Sequence, residues 1–295
     1  MSARDASLRA LVPDGFSRGG LPADVELLAW DAAADGVEFA VPTSGETAER
    51  LPELPDLRVV QVLSAGVDWV ERHVPDGVTF CNAGDTRSPA VAQWVVAAIL
   101  HDLGGFGRGH TSERWQPREL DGKRVVIVGH GSIGRAVERR LAPFGARIGR
   151  VARSAREGVE PVERLGEAVD EADVVVVLAP LSDDTRGLVG AEVLARMPDG
   201  ALLVNAGRGA VVDTDALVEA VRAGRIRAAL DVTDPEPLPD DHPLWTLDGV
   251  FLTPHVAGDT PEAERAAQAL ARAQILRHRA GLPLEHVVRP GPATG

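Results

Sequence analysis

Three segments in the second half of the chain carry side chains suited to chemistry on a ketone. They are Asn205-Ala206-Gly207-Arg208-Gly209, then Asp231-Val232 with Glu236-Pro237, then Thr253-Pro254-His255-Val256-Ala257-Gly258. Reducing a carbonyl requires a proton donor on its oxygen, and imidazole suits that task because it titrates near neutrality. A neighbouring carboxylate would hold the ring. A guanidinium would clamp a substrate carboxylate and polarise the carbonyl. Singly, each has an ordinary role: an exposed arginine, a helix-start glutamate, a loop histidine. The three in order, each near the end of a short apolar run, point to one site.

A second constellation precedes them. Gly129-His130-Gly131-Ser132-Ile133-Gly134 is G-x-G-x-x-G, directly after the apolar run Val125–Val128 and opening the amphipathic stretch Ile133–Leu141. A strand before and a helix after give that motif its meaning. Gly129 permits a tight turn, Gly131 admits backbone close to a pyrophosphate, and Gly134 lets the helix pack on the strand. The phosphates would lie at the positive helix end, against the N–H groups of Ser132 and Ile133. His130 could touch a phosphate or face solvent, and we read it as facing solvent. An NAD site calls for an acidic residue about 20 residues further on. The next run instead ends Val151-Ala152-Arg153-Ser154-Ala155-Arg156. Arg153, Arg156 and the Ser154 hydroxyl would suit a 2′-phosphate, so NADP(H) is the expected cofactor, with NAD(H) possible.

Elements must position these groups. The runs Val125–Val128, Arg147–Val151, Val174–Leu178, Ala201–Val204, Ala228–Asp231 and Val250–Leu252 recur about 22–27 residues apart, leaving room for crossover helices. Continuous apolar runs mean strands covered on both faces, as in a parallel sheet. Six of them fit a doubly wound dinucleotide-binding domain. Earlier, Val25–Trp30, Val37–Val41, Arg58–Leu63 and Val78–Cys81 predict a smaller, flavodoxin-like unit. A helix is predicted from Ser88 as N-cap with Pro89 at its first position, through Val91, Trp94, Val95, Ala98 and Ile99, into a glycine-rich loop over 104–109. Thr260 and Pro261 repeat the start signal for a helix to about Arg279, with Gly281 beyond it. The expected fold class is α/β with two Rossmann-like domains: a flavodoxin-like substrate domain, residues 1–90 plus 261–295, and a doubly wound parallel-sheet dinucleotide-binding domain, residues 91–260. The two crossings, near Ser88–Leu103 and Gly258–Glu264, would be hinges around a cleft.

Composition narrows the field. The chain has 295 residues, with 31 basic and 44 acidic side chains, a formal net charge of −13. That balance argues against nucleic-acid binding, which wants a basic stripe, and against a membrane surface. The start lacks the apolar core of a secretory signal, and no uncharged apolar run approaches the ~18 residues of a span. One cysteine, Cys81, excludes an internal disulfide and any cysteine-cluster metal site; no metal is expected. A cytoplasmic location is expected.

Taken together, the motifs resemble the D-isomer-specific 2-hydroxyacid dehydrogenase family over nearly the whole length, in its glyoxylate/hydroxypyruvate reductase-like branch. The resemblance rests on Gly129–Gly134, Ala179-Pro180-Leu181 with Thr185, Asn205–Gly209 with Val212-Asp213, Leu230–Val232 with Glu236-Pro237, Pro243-Leu244-Trp245, and Thr253-Pro254-His255 with Gly258 and Thr260. It implies that Arg208 binds the carboxylate and carbonyl of a small 2-oxo acid, that His255 is the acid/base, and that Glu236 orients it. Asp231 would meet the nicotinamide end of the cofactor, and Pro180, Thr185, Ala206 and Gly258 would line its site. Leu63-Ser64-Ala65-Gly66-Val67-Asp68 resembles the family loop whose N–H groups hold the substrate carboxylate, through Ala65 and Gly66. Ser88 with Val91-Ala92 resembles the cofactor-contacting start of the interdomain helix. A homodimer through the cofactor domain is also implied.

Departures are few. Gln93 stands where the family usually has glutamate, and it reads as structural. The chain has no tyrosine, against subfamilies that use one in the pocket, and its length leaves no room for the appended regulatory domain of long phosphoglycerate dehydrogenases. Trp69 and Trp115 read as packing residues, with the substrate pocket or a dimer surface as the alternative. Two other functions share this fold: a nucleotide-sensing interaction protein, as in the family's corepressor branch, and an enzyme with another donor such as formate or phosphite. The Arg–Glu–His set argues against formate, whose oxidation would dispense with acid/base work at a carbonyl.

Overall fold

A computed structural model of the protein describes residues 7–33, 35–106 and 116–291. Trp115 and part of the glycine-rich stretch lie outside the described residues. The chain divides into two compact units, one formed by Met1–Arg87 with Pro261–Gly295 and the other by Ser88–Thr260.

In the first unit, β1 (Leu8–Leu11), β2 (Val25–Leu28), β3 (Val37–Ala40), β4 (Val59–Gln61), β5 (Thr79–Cys81) and β13 (Val287–Arg289) form one sheet in the order β13-β5-β4-β3-β1-β2. All pairs are parallel except β13 on β5. Without β13 the order is the flavodoxin-like 2-1-3-4-5. Two strands escaped the sequence reading. β1 is short and closed by Pro13, with Arg9 inside it, yet it lies between β2 and β3 with Leu8, Ala10 and Leu11 buried. Arg9 keeps its head on the Glu26 carboxylate, 3.1 Å away. β13 shows no apolar pattern because it is an exposed edge. A short helix α1 (Gly45–Glu49) follows β3. Helix α7 (Pro261–Arg279) buries Ala263, Ala267, Ala271 and Ile275, a stripe at every fourth residue. Its buried Gln274 donates to Gln61 Oε1 at 3.2 Å and to Glu285 O at 2.6 Å, tying helix to β4.

The second unit opens with α2 (Ser88–Gly104) and continues β6 (Arg124–Val128), α3 (Ser132–Leu141), β7 (Arg147–Ala152), β8 (Glu160–Pro161), α4 (Leu165–Val169), β9 (Val174–Val177), α5 (Ala191–Arg196), β10 (Ala201–Asn205), α6 (Thr214–Arg222), β11 (Ile226–Leu230) and β12 (Val250–Leu252). The order β12-β11-β10-β9-β6-β7-β8 is parallel throughout. It is the doubly wound pattern with one strand added at the β12 edge. Seven strands replace the expected six, because the two-residue β8 carries no apolar run. Alternate residues feed opposite cores: Val126, Val128, Val175, Val177 and Leu203 face one layer, and Val125, Ile127, Val174, Val176 and Leu202 the other, against α2 and α3. Ser88 is not a cap. It lies within α2, and its buried hydroxyl has no hydrogen-bond partner among the described residues.

Candidate active site

The strand order reverses at β6 and β9, and crevices at carboxyl ends beside such a reversal are where open α/β sheets bind ligands. β6 ends in the glycine turn. Gly129 has φ +102, and a Cβ there would lie 2.5 Å from Ala179 N. A Cβ on Gly134 would lie 2.6 Å from the Gly129 carbonyl oxygen. Both residues are glycine so that turn, helix and neighbouring strand can close on one another. Gly131 differs: nothing lies within 4 Å of a Cβ there. It is the N-cap of α3 and contributes no side-chain cap, so the first-turn N–H groups at Ser132, Ile133 and Gly134 are open to an acceptor from outside the helix. An open, uncapped cradle of this kind fits the pyrophosphate of a nicotinamide dinucleotide.

The loop after β9 is held from within. Thr185 Oγ1 donates to Pro180 O at 2.6 Å and accepts from Ser182 N at 2.8 Å, so its hydroxyl closes the turn that carries Pro180. After β7, Arg153, Ser154 and Arg156 are all exposed. Arg156 Nη2 donates to His130 O at 2.7 Å. His130 does not face solvent as expected: its side chain is 10% exposed and its Nε2 lies 2.6 Å from Glu138 Oε2. Two turns of α3 bring Glu138 back over the glycine loop, a contact invisible in the motif itself.

Arg150 forks onto Glu138 through Nε at 2.9 Å and through Nη2. The guanidinium holds this carboxyl down at about 2, against an ordinary 4.5, with the His130 ring adding to the effect and burial opposing it. A depressed carboxyl stabilises the fold above its unfolded value and loses that contribution on acidification. That contribution is complete above about pH 5 and is lost as pH falls through about 2. Urea unfolding should therefore show wild type and Glu138→Gln converging in stability as pH falls; a gap independent of pH would contradict this origin.

Three neighbouring strands deliver the Arg, Glu and His. Asn205, Leu230 and Leu252 lie side by side in register at the ends of β10, β11 and β12, so the loops beyond them start within about 10 Å of one another. Buried Asn205 shapes the first loop: its Oδ1 accepts from Gly207 N at 3.1 Å and its Nδ2 donates to Arg208 O at 3.1 Å. Arg208 Nη1 donates to Gly207 O at 2.9 Å, and Ala206 N bonds back to Val177 O at 3.2 Å. On the third loop His255 stands at φ 55, a conformation histidine tolerates better than most residues. Its Nδ1 lies 2.6 Å from Glu236 Oε1.

Asp231 is 3% exposed and both its oxygens are engaged. Oδ1 accepts from Thr253 Oγ1 at 2.6 Å and Val256 N at 2.9 Å, and Oδ2 from Ala257 N at 3.0 Å. The carboxylate thus fastens the segment that carries His255 and leads to Gly258. Neither Asn205 nor Thr253 is a candidate from the sequence; an amide closing an apolar strand two residues before a glycine is the signal that marks Asn205.

In the first unit, Ser64 Oγ donates to Gly66 O at 2.7 Å and Asn82 Nδ2 to Ala65 O at 3.0 Å. The carbonyls are thereby held by side chains, while the N–H groups of Ala65 and Gly66 have no acceptor among the described residues. Trp69 is half-buried in the core, with its indole N–H on Ser64 Oγ at 3.3 Å. Cys81 is buried, which pushes its thiol up to about 12. Gln93 is exposed on α2. Among the described residues no helix is long and apolar enough to cross a membrane.

Residues 96–257 match the family described as D-isomer specific 2-hydroxyacid dehydrogenase, NAD binding domain. The chain is 34% identical over 260 residues to a glyoxylate reductase of Thermofilum pendens, covering 80% of this chain and 76% of that protein. A D-isomer specific 2-hydroxyacid dehydrogenase from Xanthobacter autotrophicus, solved with NADPH and MES, superposes with a TM-score of 0.82 at 30% identity, over 97% of this chain and 98% of that one. An NADPH-dependent glyoxylate/hydroxypyruvate reductase from Sinorhizobium meliloti, solved with NADP and sulfate, gives 0.82 at 28% identity over 95% and 98%. With its two parallel-sheet units, its glycine cradle and its Arg, Glu and His on adjacent loops, this chain belongs to the D-isomer specific 2-hydroxyacid dehydrogenase family of oxidoreductases.

Proposed function

We propose that the protein reduces a small 2-oxo acid, of the glyoxylate or hydroxypyruvate class, to the D-2-hydroxy acid with NADPH. The observation that carries this reading is the 2.6 Å Glu236–His255 pair on loops adjoining that of Arg208. Gly129, Gly131, Ser132, Ile133 and Gly134 would hold the pyrophosphate, Arg153, Ser154 and Arg156 the 2′-phosphate, and Pro180, Thr185, Ala206, Asp231 and Gly258 the nicotinamide half. When bound, the reduced nicotinamide supplies hydride to the 2-carbon. The protein's part is positioning and proton transfer. Arg208 pairs with the substrate carboxylate and polarises the carbonyl. Glu236 accepts from Nδ1 of His255 and so orients the ring. Nε2 then delivers a proton to the 2-oxo oxygen, and takes one back in the reverse direction. The homodimer that the resemblance implies and the cytoplasmic setting expected from composition belong to the same reading.

The relatives support both substrate and cofactor: one is named a glyoxylate reductase, and two solved structures hold NADPH or NADP. The test follows oxidation of NADPH, then NADH, with glyoxylate, hydroxypyruvate, pyruvate, phenylpyruvate and branched 2-oxo acids. Turnover on a small member, with kcat/KM at least about tenfold higher for NADPH, is expected. A tenfold preference for NADH would overturn the cofactor assignment. Silence across the panel, with NADPH still binding, would overturn the substrate assignment.

A further inference from the structure

We propose that His130, inside the glycine loop, is a positioning residue for the 2′-phosphate of the cofactor: it docks Arg156 beside the phosphate cradle with the guanidinium charge uncompensated. The inference rests on the NADPH reading above and extends it to residues outside the motif's usual roles. Four side chains form a chain of contacts. Arg150 grips Glu138, Glu138 faces His130 Nε2 at 2.6 Å, and His130 presents both its carbonyl oxygen, 2.7 Å from Arg156 Nη2, and its Nδ1, 3.4 Å from the same nitrogen.

The proton positions follow from the donors available. A carboxylate only accepts and a guanidinium only donates, so the tautomer that satisfies both has its hydrogen on Nε2 and a lone pair on Nδ1. That lone pair faces a guanidinium, which only donates. Arg150 engages both oxygens of Glu138. Arg156 has no carboxylate partner among the described residues, and neither does Arg153. Other arginines of this acidic protein do: Arg164 with Glu160 and Glu167, Arg196 with Asp170. A guanidinium fixed by neutral acceptors keeps its full charge and its remaining donors for a phosphate. A cavity of about 390 Å³ opens here, beside His130, walled by four arginines, Arg135, Arg139, Arg150 and Arg156, and by the carboxylates of Glu138 and Glu157. Arg156 is otherwise an exposed side chain on a turn, and docking removes rotamer freedom that binding would have to remove.

The test measures binding rather than turnover. Titration calorimetry with NADP+, NAD+, 2′,5′-ADP and 5′-AMP isolates the 2′-phosphate. Wild type should favour the 2′-phosphorylated member of each pair. His130→Ala removes the Nδ1 contact and keeps the backbone carbonyl, so it should weaken NADP+ and 2′,5′-ADP by about fivefold while NAD+ and 5′-AMP stay within about twofold. His130→Gln, whose amide can both donate to Glu138 and accept from Arg156, should recover most of the loss. Arg156→Ala should lose the same selectivity, and His130→Ala added to it should cost little more, the mark of two residues acting as one. Equal weakening of all four ligands, or selectivity unchanged in His130→Ala while Arg156→Ala abolishes it, would overturn the proposal with the NADPH reading intact. A wild type indifferent to the 2′-phosphate would overturn the NADPH reading, and this proposal with it.

Discussion

His255→Asn and His255→Gln should each lower kcat by about 10²–10⁴-fold, the usual cost of losing a positioned general acid, while the dissociation constant for NADPH stays within about twofold. Neither amide can exchange a proton at neutral pH, so the carbonyl oxygen loses its donor although the loop remains. Two substitutions are needed because His255 stands at φ 55. Asn tolerates the left-handed region; Gln is strained there by about 1 kcal/mol. Equal losses in both variants would place the effect in the proton, and a loss in Gln alone would place it in the backbone. Activity within about fivefold of wild type in both would remove His255 from the acid/base role. Asp231 bears on the outcome: its carboxylate fastens Thr253, Val256 and Ala257 around the histidine, so the loop keeps its shape when the ring is gone.

Gly209→Ala is expected to be the most damaging methyl group tested in the second unit. A Cβ at Gly209 would lie 1.9 Å from Thr233 O and 2.0 Å from Thr233 C. The obstruction is backbone, which no rotamer change relieves. Two loops are held back to back at this point: the one carrying Arg208 and the one carrying Glu236. Separating them by the missing distance costs about 4 kcal/mol, at the upper end of single substitutions, or a fall in Tm of roughly 10 °C for a unit of this size. Activity should fall with stability, because the methyl pushes the Arg208 loop from the loop that holds the histidine's partner. Calorimetric unfolding together with kcat/KM checks both. A Tm within about 2 °C of wild type would mean the two loops separate easily, and their contact would then have no part in setting the site.

Much of this protein can be read in one dimension. The second unit's central strands show as continuous valine and leucine runs because both faces are covered, and their spacing implies the crossovers. G-x-G-x-x-G is legible because each glycine answers a local demand: a turn at Gly129, an approach at Gly131, a close packing at Gly134. Arg208, Glu236 and His255 were recognisable as residue types beside strand ends, which parallel topology places at one end of a sheet. β1 and β13 were not legible. Four residues interrupted by Arg9 carry too little periodicity, and an exposed edge strand carries none; only pairing partners make them strands.

Unaided, the sequence determined the chemistry available and where along the chain it sits, because residue type, turn requirements and apolar spacing are local properties. Tertiary structure alone decided how each group is employed. It turned His130 from solvent onto Glu138, set Arg156 on the His130 carbonyl, engaged both oxygens of Asp231 in the histidine loop, and set Gly209 against Thr233. Each of these depends on a hydrogen bond or an atomic overlap between segments from 8 to 26 residues apart. Such contacts are specified by how strands and helices pack together, and no local pattern records them.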